Sequence, residues 1–209
     1  MLVARAGRNP LISRNVRPRA GVSSCALSAI VYTSAGFGND SDSFLASRRR
    51  KNIRIVEIPG FTVVGIEART NNAKEATADG IIGRLWHRFI DQAMADRIPD
   101  KAGSILYAVY SDYDSDHNGE YTFMVGAPVK AHTAVPAGMA LKIVAPGKYA
   151  VITSQKGPFP KVIPEAWLEI FKLEDEGKLK RSYRTDFELY DERALDPQTG
   201  QIDIYVGLK

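Results

Sequence analysis

The chain has 209 residues and a mass of 23.0 kDa, enough for one well-cored domain with or without an appendage and too little for two full ones. Its 44% apolar and 25% charged residues and mean hydropathy of −0.20 are those of an ordinary globular protein, and no run reaches the roughly 18 apolar residues of a membrane helix, so wholesale disorder and membrane spanning are excluded and no membrane partner is expected. The formal charge of +4 misleads as a sign of nucleic-acid binding: residues 1–50 hold eight arginines against Asp40 and Asp42, which leaves twenty basic and twenty-two acidic residues, a net −2, for the rest. A body without a basic face is not expected to bind DNA directly.

Cys25 is the only cysteine, and His87, His117 and His132 lie far apart, so the chain has no disulfide framework and no recognisable metal motif. Its glycine clusters lack phosphate-loop spacing. No metal or cofactor is expected, and the composition fits a cytoplasmic protein. Residues 1–51 are rich in Arg, Ser and Gly, and their apolar residues follow neither helical nor strand periodicity. They read as a disordered tail, with a targeting segment or a start assigned too far upstream as alternatives.

From Asn52 onward a pattern appears twice. The first half opens with an extended segment over 53–58, turns at Pro59-Gly60 and continues as a strand over 61–68. A helix follows, with Asn72 and Glu75 at capping-box spacing and Ile82, Leu85, Trp86, Phe89, Ile90, Ala93 and Met94 on one apolar stripe ending before Pro99. Strands over 105–111 and 121–128 complete it, joined by the polar turn Asp114-Ser-Asp-His-Asn-Gly119. That turn imitates the start of a calcium loop, but the twelfth position is Val125 where a bidentate Glu is needed, so a hairpin is expected.

The second half repeats this order. Residues 141–153 echo 53–65 with the same Pro-Gly turn, a helix carries Ile163, Ala166, Trp167, Ile170 and Phe171 with Gly177 as its stop, and strands over 185–190 and 202–208 close the chain. Trp86 matches Trp167, and Val125-Gly126 matches Val206-Gly207. The expected fold is therefore one α+β domain over 52–209, two tandem β-α-β-β repeats related by a pseudo-two-fold, with an antiparallel sheet, two main helices and a cleft between the halves.

The Pro-Gly turn into a strand, Gly157-Pro158-Phe159 before a Trp-bearing helix, Asp186-Phe-Glu-Leu-Tyr190 and the closing Ile202-Asp-Ile-Tyr-Val-Gly-Leu208 together resemble the GyrI-like family, also called the bacterial transcription activator effector-binding domain. The segments 107–114 and 119–126 are most similar to its stand-alone branch, which includes integron-associated effector-binding proteins. The resemblance implies a protein that binds bulky hydrophobic, cationic or aromatic compounds in a cleft with a glutamate at its floor. It leaves two alternatives: a hydrolase of an electrophilic small molecule in the same cleft, and an effector-sensing component of transcription regulation.

Aligning the repeats sets Leu106-Tyr-Ala-Val-Tyr110 against Asp186-Phe-Glu-Leu-Tyr190, so Glu188 replaces Ala108 while Tyr110 and Tyr190 match. Alternation puts Glu188 and Tyr190 on one face of their strand. By residue type alone, a strand glutamate is more often solvated on an outer face; the resemblance makes Glu188 the floor of the cleft. Tyr110, Tyr190, Trp86, Phe89, Phe159, Trp167 and Tyr205 are the expected aromatic lining, though a tryptophan on an apolar helical stripe is by default a core residue. No residue is assigned a catalytic role.

Overall fold

The computed structural model describes residues 53–131 and 133–209; the expected tail over 1–51 lies outside them. Eight strands form one sheet in which every neighbouring pair is antiparallel: β1 (Arg54–Ile58), β2 (Phe61–Thr70), β3 (Leu106–Ser111), β4 (Tyr121–Val129), β5 (Ala140–Val144), β6 (Gly147–Thr153), β7 (Arg181–Tyr190) and β8 (Asp203–Leu208). Their order across the sheet is β1-β6-β8-β7-β3-β4-β2-β5, which is unchanged when the two halves of the chain are exchanged and the sheet is read from the other edge. Each repeat lends its first strand to the other, β1 to β6 and β5 to β2. The two Pro-Gly corners meet as a result: a Cβ on Gly60 would lie 2.7 Å from the Val144 carbonyl oxygen and 2.9 Å from the Pro146 nitrogen.

The centre of the sheet is the β3–β7 pair, in register Leu106↔Tyr190, Ala108↔Glu188 and Tyr110↔Asp186. Residues equivalent by the repeat alignment, 108 and 188, thus face each other directly, and the pseudo-two-fold axis passes between them. Among the described residues the helices lie over the face that carries Ala108, Tyr110, Glu188 and Tyr190, and the main core fills the space between. The other face has its own smaller core of Val63, Val109, Met124, Val144, Tyr149 and Phe187.

The helical part of the first repeat departs from the single helix expected. It is split into α1 (Asn72–Glu75), α2 (Ile82–Asp91) and a 3-10 turn, Met94–Arg97. Asn71, not Asn72, caps α1, accepting from the Lys74 N–H. Glu75 turns inward, where its carboxylate accepts from the Thr70 hydroxyl and from the Ile81 and Ile82 N–H groups, an anion on the N-terminus of α2. Ala93, at φ +46, ends α2 before the 3-10 turn.

In the second repeat one long helix, α3 (Phe159–Asp175), packs over the sheet, and Gly177 at φ +68 stops it as expected. Lys178 N–H donates to the Leu173 carbonyl and Gly177 N–H to that of Glu174, the Schellman pattern. Strand β7 starts four residues earlier than expected because it contains a bulge. From Arg181 to Asp186 it advances five residues while β8 advances two, from Leu208 to Val206, and Tyr183 within the bulge adopts φ +54. Among the described residues no helix is long and apolar enough to cross a membrane.

Candidate functional site

Glu188, in the middle of the central strand pair, is 2% exposed. Its Oε1 accepts from the Tyr110 hydroxyl at 2.8 Å and the Trp167 Nε1–H at 2.7 Å, and its Oε2 from the Tyr190 hydroxyl at 2.7 Å. The two tyrosines are repeat mates, so each half of the molecule sends one phenol to the same carboxylate. Ala108 opposite leaves the room that a second large side chain would fill. Burial pushes the Glu188 carboxyl above the ordinary range, with the three donors acting against that rise. No cationic side chain among the described residues pairs with it.

The halves differ around this carboxylate. On the Tyr190 side the space is filled: Trp86 packs on the Tyr190 ring at 4.7 Å, Phe159 meets it edge-on at 5.8 Å, and Phe89 is buried with them. On the Tyr110 side a cavity of about 230 Å³ opens between α3, α1 and the sheet, walled by Tyr110, Trp167, Tyr113, Tyr121 and Phe171, with Leu168 exposed at its edge. Glu188 lies directly behind two of these walls, Tyr110 and Trp167.

The structure therefore gathers Glu188, Tyr190, Tyr110 and Trp167 into one hydrogen-bonded unit, of which Tyr110 and Trp167 line the cavity. Trp86, Phe89 and Phe159 do not line it; they are core on the closed side. Tyr205 is separated altogether: Glu188 pairs with Ile204, so the next residue points to the opposite face, where its ring stacks on Phe187 at 4.4 Å.

Several cavity residues have no sequence signal of their own. Tyr113 and Tyr121 flank the β3–β4 turn, Phe171 reads as part of a core stripe, and Arg181 is brought in by the β7 bulge. The tyrosine hydroxyls are committed as donors, Tyr110 to Glu188, Tyr113 to Asp186 at 2.7 Å and Tyr121 to Asn72 at 2.9 Å. The cavity thus offers flat aromatic faces, with Glu75 and Arg181 also in its wall and the Glu188 carboxyl behind it, an arrangement that can attract a cation needing no hydrogen bond of its own.

Residues 54–208 match the model of the family described as integron-associated effector binding protein. The chain belongs to that family. This integron-associated effector-binding domain is 37% identical over 147 residues to the putative transcriptional regulator protein YobU of Bacillus subtilis, covering 69% of this chain and 90% of YobU. It is 35% identical over 168 residues to the transcriptional regulator BrlR of Pseudomonas aeruginosa, where it spans 77% of this chain but only 56% of BrlR. An integron cassette protein of Vibrio cholerae shares the fold at a TM-score of 0.62 and 30% identity, over 75% of this chain and 95% of the other. SAV2435, solved bound to tetraphenylphosphonium, shares the fold at a TM-score of 0.58 and 18% identity, over 75% and 93%.

Proposed function

We propose that this effector-binding domain takes a hydrophobic aromatic cation into the Tyr110–Trp167 cavity, with Glu188 at the floor as the counter-charge. The observation that carries the reading is the buried carboxylate itself. It has three donors but no cationic partner, and an uncompensated buried charge costs several kcal/mol unless something pairs with it. A cation entering the cavity reduces that cost and gains the faces of Tyr110, Trp167 and Phe171, worth roughly 0.5–2 kcal/mol each. The cation named in the SAV2435 structure, on a shared fold, agrees with this chemistry. A hydrolytic use of the cleft has less support, since Tyr110 and Trp167 stand between the carboxylate and the cavity.

The test is calorimetric titration of the wild-type protein with phenyltrimethylammonium and with tert-butylbenzene, which share a shape and differ in charge. The cation should bind at least about tenfold tighter. Equal affinity, or preference for the neutral compound, would contradict the proposal, and mass spectrometry of the incubated cation should recover it unchanged.

A further inference from the structure

Arg181 forms part of the cavity wall and is itself held as a bound cation would be. Its guanidinium carbon lies 4.3 Å from the Tyr183 ring centre, 5.7 Å from that of Trp167 and 5.8 Å from those of Tyr113 and Phe171. Two carboxylates hold it from behind, Asp186 at 2.6 Å and Glu174 at 3.5 Å, and neither lines the cavity. Its side chain is 1% exposed, and its Nε–H is the one buried side-chain polar atom left without a partner among the described residues.

Trp167 links the two charges, its indole N–H on Glu188 and its ring near Arg181. The cavity wall therefore carries one guanidinium, in the part formed with Tyr113 and Phe171, and one carboxylate, Glu75, while a second carboxylate, Glu188, lies behind Tyr110.

We infer that Arg181 is a specificity-determining residue, a resident cation that restricts the cleft to effectors with a single positive charge. The effector's cationic group sits toward Tyr110 and Glu188, and an uncharged part lies toward Arg181. A second positive charge at that end meets the guanidinium in the wall before the two carboxylates behind it, and it also meets aromatic rings whose negative faces are already engaged by the guanidinium. This rests on the proposed cation-binding role of the cleft.

The experiment compares phenyltrimethylammonium, tert-butylbenzene and the dication 1,4-bis(trimethylammonio)benzene by titration into wild type and into the double variant R181M/D186N. The double variant is chosen because Arg181→Met alone leaves Asp186 buried and unpaired. Wild type should bind the dication at least about tenfold more weakly than the monocation, and the variant should narrow that gap about tenfold. A purely structural Arg181 would instead weaken all three compounds together, and that result overturns the inference. So does a wild-type protein that binds the dication as tightly as the monocation, a measurement that needs no variant. If wild type prefers tert-butylbenzene to the monocation, the cation reading of the cleft fails with it; if it prefers the monocation but the gap is unchanged in the folded variant, only the role of Arg181 is lost.

Discussion

Ala108 and Glu188 are partners across the central strand pair and also repeat mates, so the duplication breaks its symmetry on its own axis. The alanine makes room, and the glutamate takes hydrogen bonds from both halves. Replacing Ala108 with Glu would restore sequence symmetry by setting two carboxylates side by side in a buried site. They cannot both ionise there, so A108E should lose on the order of 3 kcal/mol of stability at neutral pH and recover part of it in acid. Urea unfolding at pH 7 and pH 5 checks both; an unchanged midpoint would contradict the burial of this pair.

Tyr110 and Tyr190 make the same bond to Glu188 but face different surroundings. Tyr110→Phe and Tyr190→Phe should each cost about 1–2 kcal/mol of stability, the worth of one donor to a buried charged acceptor. Tyr110→Phe should change the affinity for an aromatic cation more than Tyr190→Phe, because both bond the carboxylate but Tyr190 is sealed behind Trp86 and Phe159. Calorimetry separates the two effects.

That asymmetry marks how much of the site is legible in the sequence. The repeat alignment finds Glu188 and its two tyrosines because a charge replacing an alanine in a duplicated strand stands out. It also finds Trp86 and Trp167 as mates, but it holds no record of which half-cleft is filled, since that depends on how Phe159 and α2 pack in three dimensions. Tyr205, expected in the lining, falls on the opposite face of the sheet because it is one residue past Ile204, the partner of Glu188. Arg181 carries no pattern at all: only the three extra residues in β7 bring it beside Asp186. The strands, turns and α3 follow the expected periodicity, whereas the break between α1 and α2 depends on the Glu75 side chain, invisible to a spacing rule.

Glu75, which also lines the cavity, should accordingly matter for folding. Glu75→Ala removes the acceptor for two backbone N–H groups at the start of α2 and should cost about 2–3 kcal/mol, with Glu75→Gln costing roughly half of that. Equal urea midpoints for wild type and Glu75→Ala would contradict this capping role.

The raised pKa of Glu188 gives a pH dependence with a definite sign. A carboxyl whose folded pKa exceeds its unfolded value binds more protons when folded, so its contribution to stability is complete below the unfolded pKa and is lost as the pH rises through the folded one. A bound cation favours the ionised form. Cation affinity should therefore fall as the pH drops through the folded pKa, with up to one proton released per cation bound in that range, while tert-butylbenzene binding stays flat. Parallel pH profiles for the two compounds would contradict it.

All eight strands lie between Arg54 and Leu208, and both repeats close within that span. A fragment comprising residues 52–209 should therefore unfold cooperatively, with a midpoint within a few degrees of the full chain. A non-cooperative transition would show that the first 51 residues belong to the fold.

The counter-charge role of Glu188 is tested most directly by Glu188→Gln, which keeps shape and removes charge. A cation about 7 Å away, across Tyr110 or Trp167, interacts with the carboxylate by about 2 kcal/mol at an effective dielectric constant near 20. Titration at pH 8 should show phenyltrimethylammonium weakened by about thirtyfold in the variant, with tert-butylbenzene changed by less than about threefold. If both compounds lose affinity equally, or neither does, Glu188 is not the charge that selects the effector.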